Sequence, residues 1–245
     1  MNSTGHSNCD YGPKRGVPPP EHPRPRFDEL FNKFHMNPQA LSEGESSELV
    51  RKCMKRGDCQ ALGKVLAKLP LQTLHIEDIA GEKPWLDLLS ALPKDCSIRQ
   101  LTLHRNYFND CTGALLLETL GQMPELKSLR LLDCTFCEVD GELSCRALPH
   151  LQDLHIEDTQ KPFPLLQAIL NPAVSQVSKL HLVKERDMDD KDHAALAKML
   201  GAQGELRDLA LRRWPAPGPT FQNSLKHYVG FLAMAAKTLT HLDLS

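Results

Sequence analysis

The chain has 245 residues, with 29 basic and 31 acidic side chains and a formal net charge of −2 at pH 7. This near balance argues against a surface for nucleic acid or for insertion into anionic membranes. Its apolar runs, such as "GALLLETL" and "FLAMAA", are too short to cross a membrane, and no secretory signal peptide precedes them. With eight cysteines, the sequence predicts reduced thiols in a cytoplasmic protein, or in one secreted into a host cell without a cleaved signal peptide.

Residues 1–26 form a segment rich in Pro, Gly, Ser and Asn, without apolar periodicity. Such a composition buries too little apolar surface to offset the entropy of ordering the chain, which predicts a disordered leader. A Pro-x-x-Pro stretch at Pro20 and Pro23, with Arg24 and Arg26 nearby, leaves open a second role as a ligand for a partner domain.

Residues 27–70 contain three short stretches with apolar residues at helical spacing. The first is "FDELFNKFHM", and the second, "SSELVRKCMKRG", begins at serines suited to capping and ends at Gly57. The third, "DCQALGKVLAKLP", begins at Asp58 and stops at Pro70. This pattern predicts a helical N-terminal cap, which a repeat array needs to cover its first repeat.

Residues 71–245 repeat one apolar pattern, L-x-x-L-x-L, at intervals of 25 to 33 residues. The runs "LQTLHIED" at 71–78 and "LQDLHIED" at 151–158 are nearly identical, which indicates duplication within the chain. The pattern predicts about seven repeats, the last incomplete because the sequence stops at "LTHLDLS". The triplets are Leu71-Leu74-Ile76, Ile98-Leu101-Leu103, Leu126-Leu129-Leu131, Leu151-Leu154-Ile156, Val177-Leu180-Leu182, Leu206-Leu209-Leu211 and Leu239-Leu242-Leu244.

This region resembles a leucine-rich repeat array of the ribonuclease-inhibitor type, whose repeats have about this length. The resemblance implies an α/β solenoid: a right-handed, horseshoe-like arc with a parallel β-sheet on its concave face and helices on its convex face. Segments with helical patterns separate the triplets, among them "DCTGALLLETLGQM", "FPLLQAIL" and "DHAALAKMLGAQ". The phrases "GALLLETL" and "HAALAKML" also resemble the Gly-Ala-Leu-Ala repeats of plant-pathogen type III effectors, which implies a bacterial effector with a role in virulence.

Strand alternation predicts which side chains of each repeat face solvent. In the first repeat Leu74 and Ile76 should point inward, while Thr73, His75 and Glu77 should point to the concave face. The same phase gives a strip of mixed charge, which favours a protein partner over nucleic acid. The candidate partner-binding residues are His75, Glu77, Gln100, His104, Arg130, Asp153, His155, Glu157, Lys179, His181, Asp208, Arg212 and Trp214.

Trp214 differs from the other candidates because it lies in "RRWPAPGPT", at the start of the insertion that makes the sixth repeat the longest. Its prolines should stiffen this loop, so that the tryptophan could anchor a partner. Alternatively, Trp214 folds back over the end of the strand and fills space there.

The ninth position of each repeat decides how a Cys-x-x-Cys pair is interpreted. The family resemblance implies Asn or Cys at this position, bonded to the backbone where the chain leaves the strand; Asn106 and Cys134 fit. A zinc set of Cys134, Cys137, Cys145 and His150 is the alternative, but its spacing matches no standard zinc motif. The remaining repeats are predicted to depart from this ladder, because they carry Ile79, Thr159, Glu185 and Trp214 there.

Two histidines on adjacent predicted strands, His155 and His181, should lie about 5 Å apart, with Asp153 and Glu157 close by. A metal or acid/base site there competes with a simpler interpretation, in which histidine is a polar residue on an exposed strand. The second interpretation is favoured, so no metal ligand, cofactor or catalytic residue is predicted. The sequence also lacks a Gly-rich phosphate loop and the motifs G-x-S-x-G and H-E-x-x-H.

The sequence therefore predicts a non-enzymatic module that recognises a partner protein on its concave leucine-rich repeat surface. Two alternatives remain open: a ubiquitin-ligase adaptor, and a fragment of a larger eukaryotic immune-sensor or GTPase-regulator array. The last triplet predicts an uncapped end, which further chain, a partner or a second copy should cover.

Overall fold

The computed structural model describes residues 26–69, 71–79, 81–92, 96–137, 148–171, 173–184, 190–212, 228–232 and 238–245. Within these ranges the fold is α/β, with seven strands in one all-parallel sheet and helices between them. This arrangement is that of a leucine-rich-repeat-like solenoid. The predicted leader up to residue 25, and the loop that carries Trp214, lie outside the described residues.

Three helices precede the sheet, where the sequence predicts helices. The second begins earlier than predicted, because Ser42 rather than Ser46 or Ser47 caps it. The Ser42 side chain accepts a hydrogen bond from the Glu45 N–H at 3.3 Å, and the Glu45 carboxylate accepts one from the Ser42 N–H at 2.9 Å. The elements are α1 (Phe27–Met36), a 3-10 turn (Pro38–Ala40), α2 (Glu43–Arg56) and α3 (Cys59–Leu66).

The strands of the main sheet follow one another in chain order, and each pairs in parallel with the next. Their register aligns equivalent positions of the predicted repeats: Leu74 lies opposite Leu101, Leu101 opposite Leu129, and Leu129 opposite Leu154. The predicted phase is therefore confirmed. The strands are β1 (Thr73–Glu77), β2 (Gln100–His104), β4 (Ser128–Leu132), β6 (Asp153–Glu157), β7 (Lys179–Val183), β8 (Asp208–Arg212) and β9 (His241–Asp243).

The apolar residues of the first six triplets form one continuous apolar core with the inner sides of the helices. At Gly63, α3 approaches the next helix so closely that an added Cβ would lie 2.2 Å from the Cβ of Ala91. The N-terminal helices thus continue the helical layer of the repeats. The helices between the strands are α4 (Glu82–Ala91), α5 (Asp110–Gly121), α6 (Phe163–Ile169) and α7 (Asp190–Gly201).

A second, two-stranded sheet lies where two repeats leave the main sheet. It pairs β3 (Tyr107–Phe108) with β5 (Thr135–Phe136). The rings of Phe108 and Phe136 stack at 4.9 Å, and Trp85 packs on Phe108 at 4.8 Å. Aromatic contacts of this kind join neighbouring repeats beyond the leucine triplets.

The ninth-position ladder is present and extends further than predicted. The Asn106 amide donates to the Ile76 carbonyl at 3.1 Å and accepts from the Ile79 N–H at 3.0 Å. One repeat later, the buried Cys134 thiol donates to the Leu103 carbonyl at 3.4 Å. The prediction for these two positions is confirmed.

The predicted departure at Thr159 is wrong, because this buried residue takes the same place in its repeat. Its hydroxyl donates to the Glu157 carbonyl at 3.1 Å and lies 3.5 Å from the Leu131 carbonyl. A threonine hydroxyl replaces the thiol of Cys134 because both donate from the γ atom of the side chain. Glu185 and Trp214, at this position in later repeats, lie outside the described residues.

The chemistry of Cys134 supports the structural role over the zinc alternative. Burial raises the pKa of its thiol to about 11, so at neutral pH it is the S–H form that can donate to a carbonyl. Cys137 contacts the hydroxyl of Tyr107. Cys145, which the zinc alternative requires, lies outside the described residues.

Candidate protein-binding face

One surface of the main sheet carries the side chains that alternate with the leucine triplets; we call it the polar face. Parallel register arranges these side chains in three rows, each running across the strands. The first row is Thr73, Gln100, Ser128, Asp153, Lys179, Asp208 and His241; the second is His75, Thr102, Arg130, His155, His181, Ala210 and Asp243; the third is Glu77, His104, Leu132, Glu157, Val183 and Arg212.

Twelve of the thirteen predicted partner-binding residues lie on this face, in strands β1 to β8; the other, Trp214, lies outside the described residues. The face is not uniformly open, because Thr102 and Ala210 are only 7% and 2% exposed. These short side chains lie between longer ones on the adjacent strands. The sequence identifies which residues belong to the face, but not how far each reaches into solvent.

Most carboxylates of the polar face are held by a basic side chain of the same face. Three of the contacts join neighbouring strands and follow from their register. The fourth joins alternate residues of one strand, which project from the same face. The pairs are Glu77 with His104 at 3.0 Å, Glu157 with His155 at 3.3 Å, Asp208 with His181 at 3.3 Å, and Asp243 with Arg212 at 2.7 Å.

Two cations of the polar face, Arg130 and Lys179, belong to none of these pairs. Both lie toward the middle of the sheet, on β4 and β7. Partial burial, opposed by its hydrogen bond to Glu157, lowers the pKa of His155, and the Arg130 charge lowers it further. At neutral pH His155 is therefore uncharged, which leaves Arg130 and Lys179 as the central positive charges of the face.

The predicted cluster around His155 and His181 forms only in part. Their rings meet edge to face, with centroids 5.9 Å apart, close to the predicted spacing. However, Asp153 accepts a hydrogen bond from Ser128 at 3.3 Å, and each histidine has its own carboxylate. A different trio converges at the other end of the sheet, where ligand atoms of His75, Glu77 and His104 all lie within 4.8 Å of one another.

A groove of about 420 Å³ separates α2 from the first strand of the sheet. Val50, Met54 and Leu74 supply its apolar wall, and His75 and Glu77 lie at its polar side. Arg51 also lines it, paired with Glu48 at 2.6 Å. Sequence patterns did not reveal this groove, because they locate α2 and β1 separately and do not give the way in which they pack.

A row of residues with left-handed backbone follows the strands, and no sequence pattern predicts it. Each described residue in the eighth position has a φ near +50°, and its N–H donates to the carbonyl that ends the next strand. Oppositely charged neighbours pair along the row: Arg105 with Asp133 at 3.7 Å, and Lys184 with Asp158 at 2.6 Å. The row comprises Asp78, Arg105, Asp133, Asp158 and Lys184.

Comparison with known proteins assigns no family to this chain. No protein-family model matches it, and no curated protein does. Among solved structures, the tropomodulin C-terminal domain from Caenorhabditis elegans matches with a TM-score of 0.38 and 11% sequence identity, over 77% of this chain and 96% of that one. The repeat register described above, and not this likeness, carries the fold assignment. Among the described residues, no helix has both the length and the apolar character needed to cross a membrane.

Proposed function

We propose that this protein is a non-enzymatic module that binds a partner protein on its polar face, which the family resemblance predicts to be concave. The observation that supports this is an all-parallel sheet with ordered rows of charged side chains on one side. Both faces of such sheets are usually covered by other elements. Here Glu157 and Arg212 keep 48% and 54% of their side chains exposed on that face.

The charges of the face favour a partner with acidic side chains opposite its centre. Because Arg212 already contacts Asp243, Arg130 and Lys179 are the Lys and Arg side chains of the polar face, among the described residues, that are available to an incoming carboxylate. Charge complementarity of this kind raises the association rate and selects among partners. The apolar groove beside β1 offers a contact for a neighbouring part of the same partner.

The experiment is affinity capture with the full chain and two charge-reversed double variants. Arg130→Glu with Lys179→Glu reverses the two cations of the polar face. The matched control, Lys64→Glu with Lys198→Glu, makes the same change in net charge at exposed helix positions. A partner lost only by the first variant supports the proposal. A partner retained by both variants places the interface elsewhere and contradicts it.

The captured proteins also separate the biological alternatives. We propose a bacterial effector that acts in the cytoplasm of a host cell, and the helix phrases "GALLLETL" and "HAALAKML" support that setting. Ubiquitin-ligase subunits among the captured proteins would favour the adaptor instead. Immune signalling components or small GTPases would favour a fragment of a eukaryotic array.

A second interface is supported by a separate observation at the edge of the sheet. Leu242 in β9 is 42% exposed and Leu244, just after it, 53%, although both continue the triplets that are buried elsewhere. We propose that a second copy or further chain covers this edge. Sedimentation of the protein at several concentrations tests the first option: a dimer that Leu242→Lys dissociates supports it, and a monomer throughout excludes it.

A further inference from the structure

We propose that His75, Glu77 and His104 form a binding site for a divalent transition-metal ion, with Zn²⁺ as the probe. His75 and Glu77 are alternate residues of β1, so both project onto the polar face. His104 ends β2 directly opposite Glu77 in the parallel register. The fold therefore brings two imidazoles and one carboxylate together from two strands.

The distances are close to those of a metal site. In a tetrahedral zinc site, with bonds of about 2.0–2.1 Å, neighbouring ligand atoms lie roughly 3.3 Å apart. Glu77 Oε1 and His104 Nδ1 are already 3.0 Å apart, and the ring centroids of His75 and His104 are 6.1 Å apart. All three ligand atoms lie within 4.8 Å, so closing the site requires side-chain rotation of roughly an ångström or more, without movement of the strands.

The donor set selects the class of metal. Two neutral imidazoles and a carboxylate suit Zn²⁺ and its neighbours in the first transition row, whereas Mg²⁺ and Ca²⁺ prefer oxygen ligands alone. Three protein ligands leave at least one coordination position open. His75 and Glu77 border the groove between α2 and β1, from which water or a donor group of a bound partner can reach the ion.

One cation competes for the carboxylate. Arg105 Nη1 lies 4.0 Å from Glu77 Oε1, farther than the imidazole of His104. The same guanidinium lies 3.7 Å from Asp133, and more than half of the side chain is exposed. Arg105 can therefore stay with Asp133 when a metal ion occupies the site.

The duplicated run supplies an internal comparison. The His-Ile-Glu sequence of β1 recurs in β6 as His155, Ile156 and Glu157. The residue opposite Glu157 on β7 is Val183, however, where His104 lies opposite Glu77. The second copy thus lacks a ligand at the place of His104, and its other histidine, His181, lies opposite His155 and contacts Asp208 instead. This predicts that metal binds at β1–β2 and not at β6–β7.

The test is a titration of the full, metal-free chain with Zn²⁺ in competition with a chromogenic chelator, together with Co²⁺ absorption spectra. We expect one Zn²⁺ per chain, and Co²⁺ bands without the strong near-ultraviolet absorption of thiolate ligation, which separates this site from the cysteines. His104→Val, which copies the arrangement at β7, should weaken binding more than about tenfold, because even groups that only orient a ligand are worth ~10–100-fold. The control His181→Ala should bind as the wild type does.

A gain-of-site variant makes the test independent of loss of folding. Val183→His restores the third ligand beside His155 and Glu157, and we expect it to bind a second Zn²⁺. The proposal is overturned if the wild type binds no Zn²⁺, if His104→Val binds it equally well, or if Co²⁺ shows thiolate ligation. A Val183→His variant that binds no more than the wild type would overturn the geometric argument, since the same residues in the same register would then not suffice.

Discussion

Replacement of Asn106 is the sharpest test of the bonds that join successive repeats. This side chain is only 2% exposed, and it satisfies two backbone groups of the preceding repeat. Its amide donates to the Ile76 carbonyl at 3.1 Å and accepts from the Ile79 N–H at 3.0 Å. Asn106→Ala removes both bonds without adding a charge or bulk.

The expected loss follows from the number of buried groups left without a partner. Each unsatisfied backbone donor or acceptor costs about 1–3 kcal/mol, so Asn106→Ala, which leaves two of them, should reduce the free energy of unfolding by about 2–6 kcal/mol. Asn106→Cys keeps one weak donor, as Cys134 does in the next repeat, and should lie between the alanine variant and the wild type. The control Asn37→Ala removes an exposed bond to the Gln39 N–H and should cost less than about 1 kcal/mol.

Urea-induced unfolding, followed by far-ultraviolet circular dichroism, measures these differences. Fluorescence in a Trp214→Phe background adds a local probe, because Trp85 is then the remaining tryptophan and is buried against Phe108 beside the affected turn. Coincident transitions from both probes would justify a two-state fit, which repeat arrays do not always satisfy. An Asn106→Ala variant within about 0.5 kcal/mol of the wild type would refute the reasoning, since that is the usual scatter of surface substitutions.

Three further predictions use the same unfolding assay. Leu129→Ala should destabilise by about 2–5 kcal/mol because the side chain is fully buried, whereas Leu242→Ala, at the same triplet position, should cost much less; equal losses would contradict the stacked core. Asp133→Val should be less stable than Asp133→Gly by about 1–2 kcal/mol, because φ is 52° there and both variants lose the same ion pair; equal stability would remove the backbone argument. Because partial burial lowers the pKa of His155, the unfolded chain takes up its proton first as the pH falls. Stability should therefore decline as the pH drops through about 6.5, and His155→Asn should reduce that decline; an unchanged pH profile would contradict it.

The fold could be predicted because one physical requirement repeats along the chain. Each L-x-x-L-x-L triplet buries its leucines only against the neighbouring repeats, so their spacing fixes both the strands and their register. The pairing of Leu129 with Leu101 and Leu154 follows directly from that spacing. The helices were predicted for the same reason, with boundaries set by local caps such as Gly57 and Asp58.

The turns were predicted less well than the strands, because their conformation depends on individual hydrogen bonds rather than on the pattern of apolar residues. Thr159 takes the hydrogen-bonding role that Cys134 has in the preceding repeat, since a γ hydroxyl and a γ thiol can both donate to backbone carbonyls in similar directions. The left-handed residues of the eighth position include Arg105 and Lys184, which carry no sequence signal for positive φ. Their conformation is imposed by the backbone bonds to the next strand, which only the assembled sheet supplies.

The same distinction applies to the candidate site. The sequence of one strand determines which residues lie on the polar face, whereas the neighbouring strand determines what those residues contact. The residues of the polar face follow from alternation within each strand, and the structure confirms their placement. Their chemistry depends on the residue across the register, which lies about one repeat away in sequence. Two nearly identical runs therefore have different surroundings: Glu77 faces His104, and Glu157 faces Val183.

Because of that dependence, the sequence alone points to the less suitable pair of histidines. His155 and His181 are prominent in sequence because they lie on adjacent predicted strands, with Asp153 and Glu157 flanking His155, yet each contacts its own carboxylate in the structure. His75 has no histidine opposite it, because Thr102 occupies that place, and its site is completed by a residue 29 positions later. Because alternation places the leucines on the opposite side of each strand, residues of the polar face can change without loss of the core. The surroundings of each polar-face residue are therefore determined by pairs of repeats, and a variant is best designed across two strands.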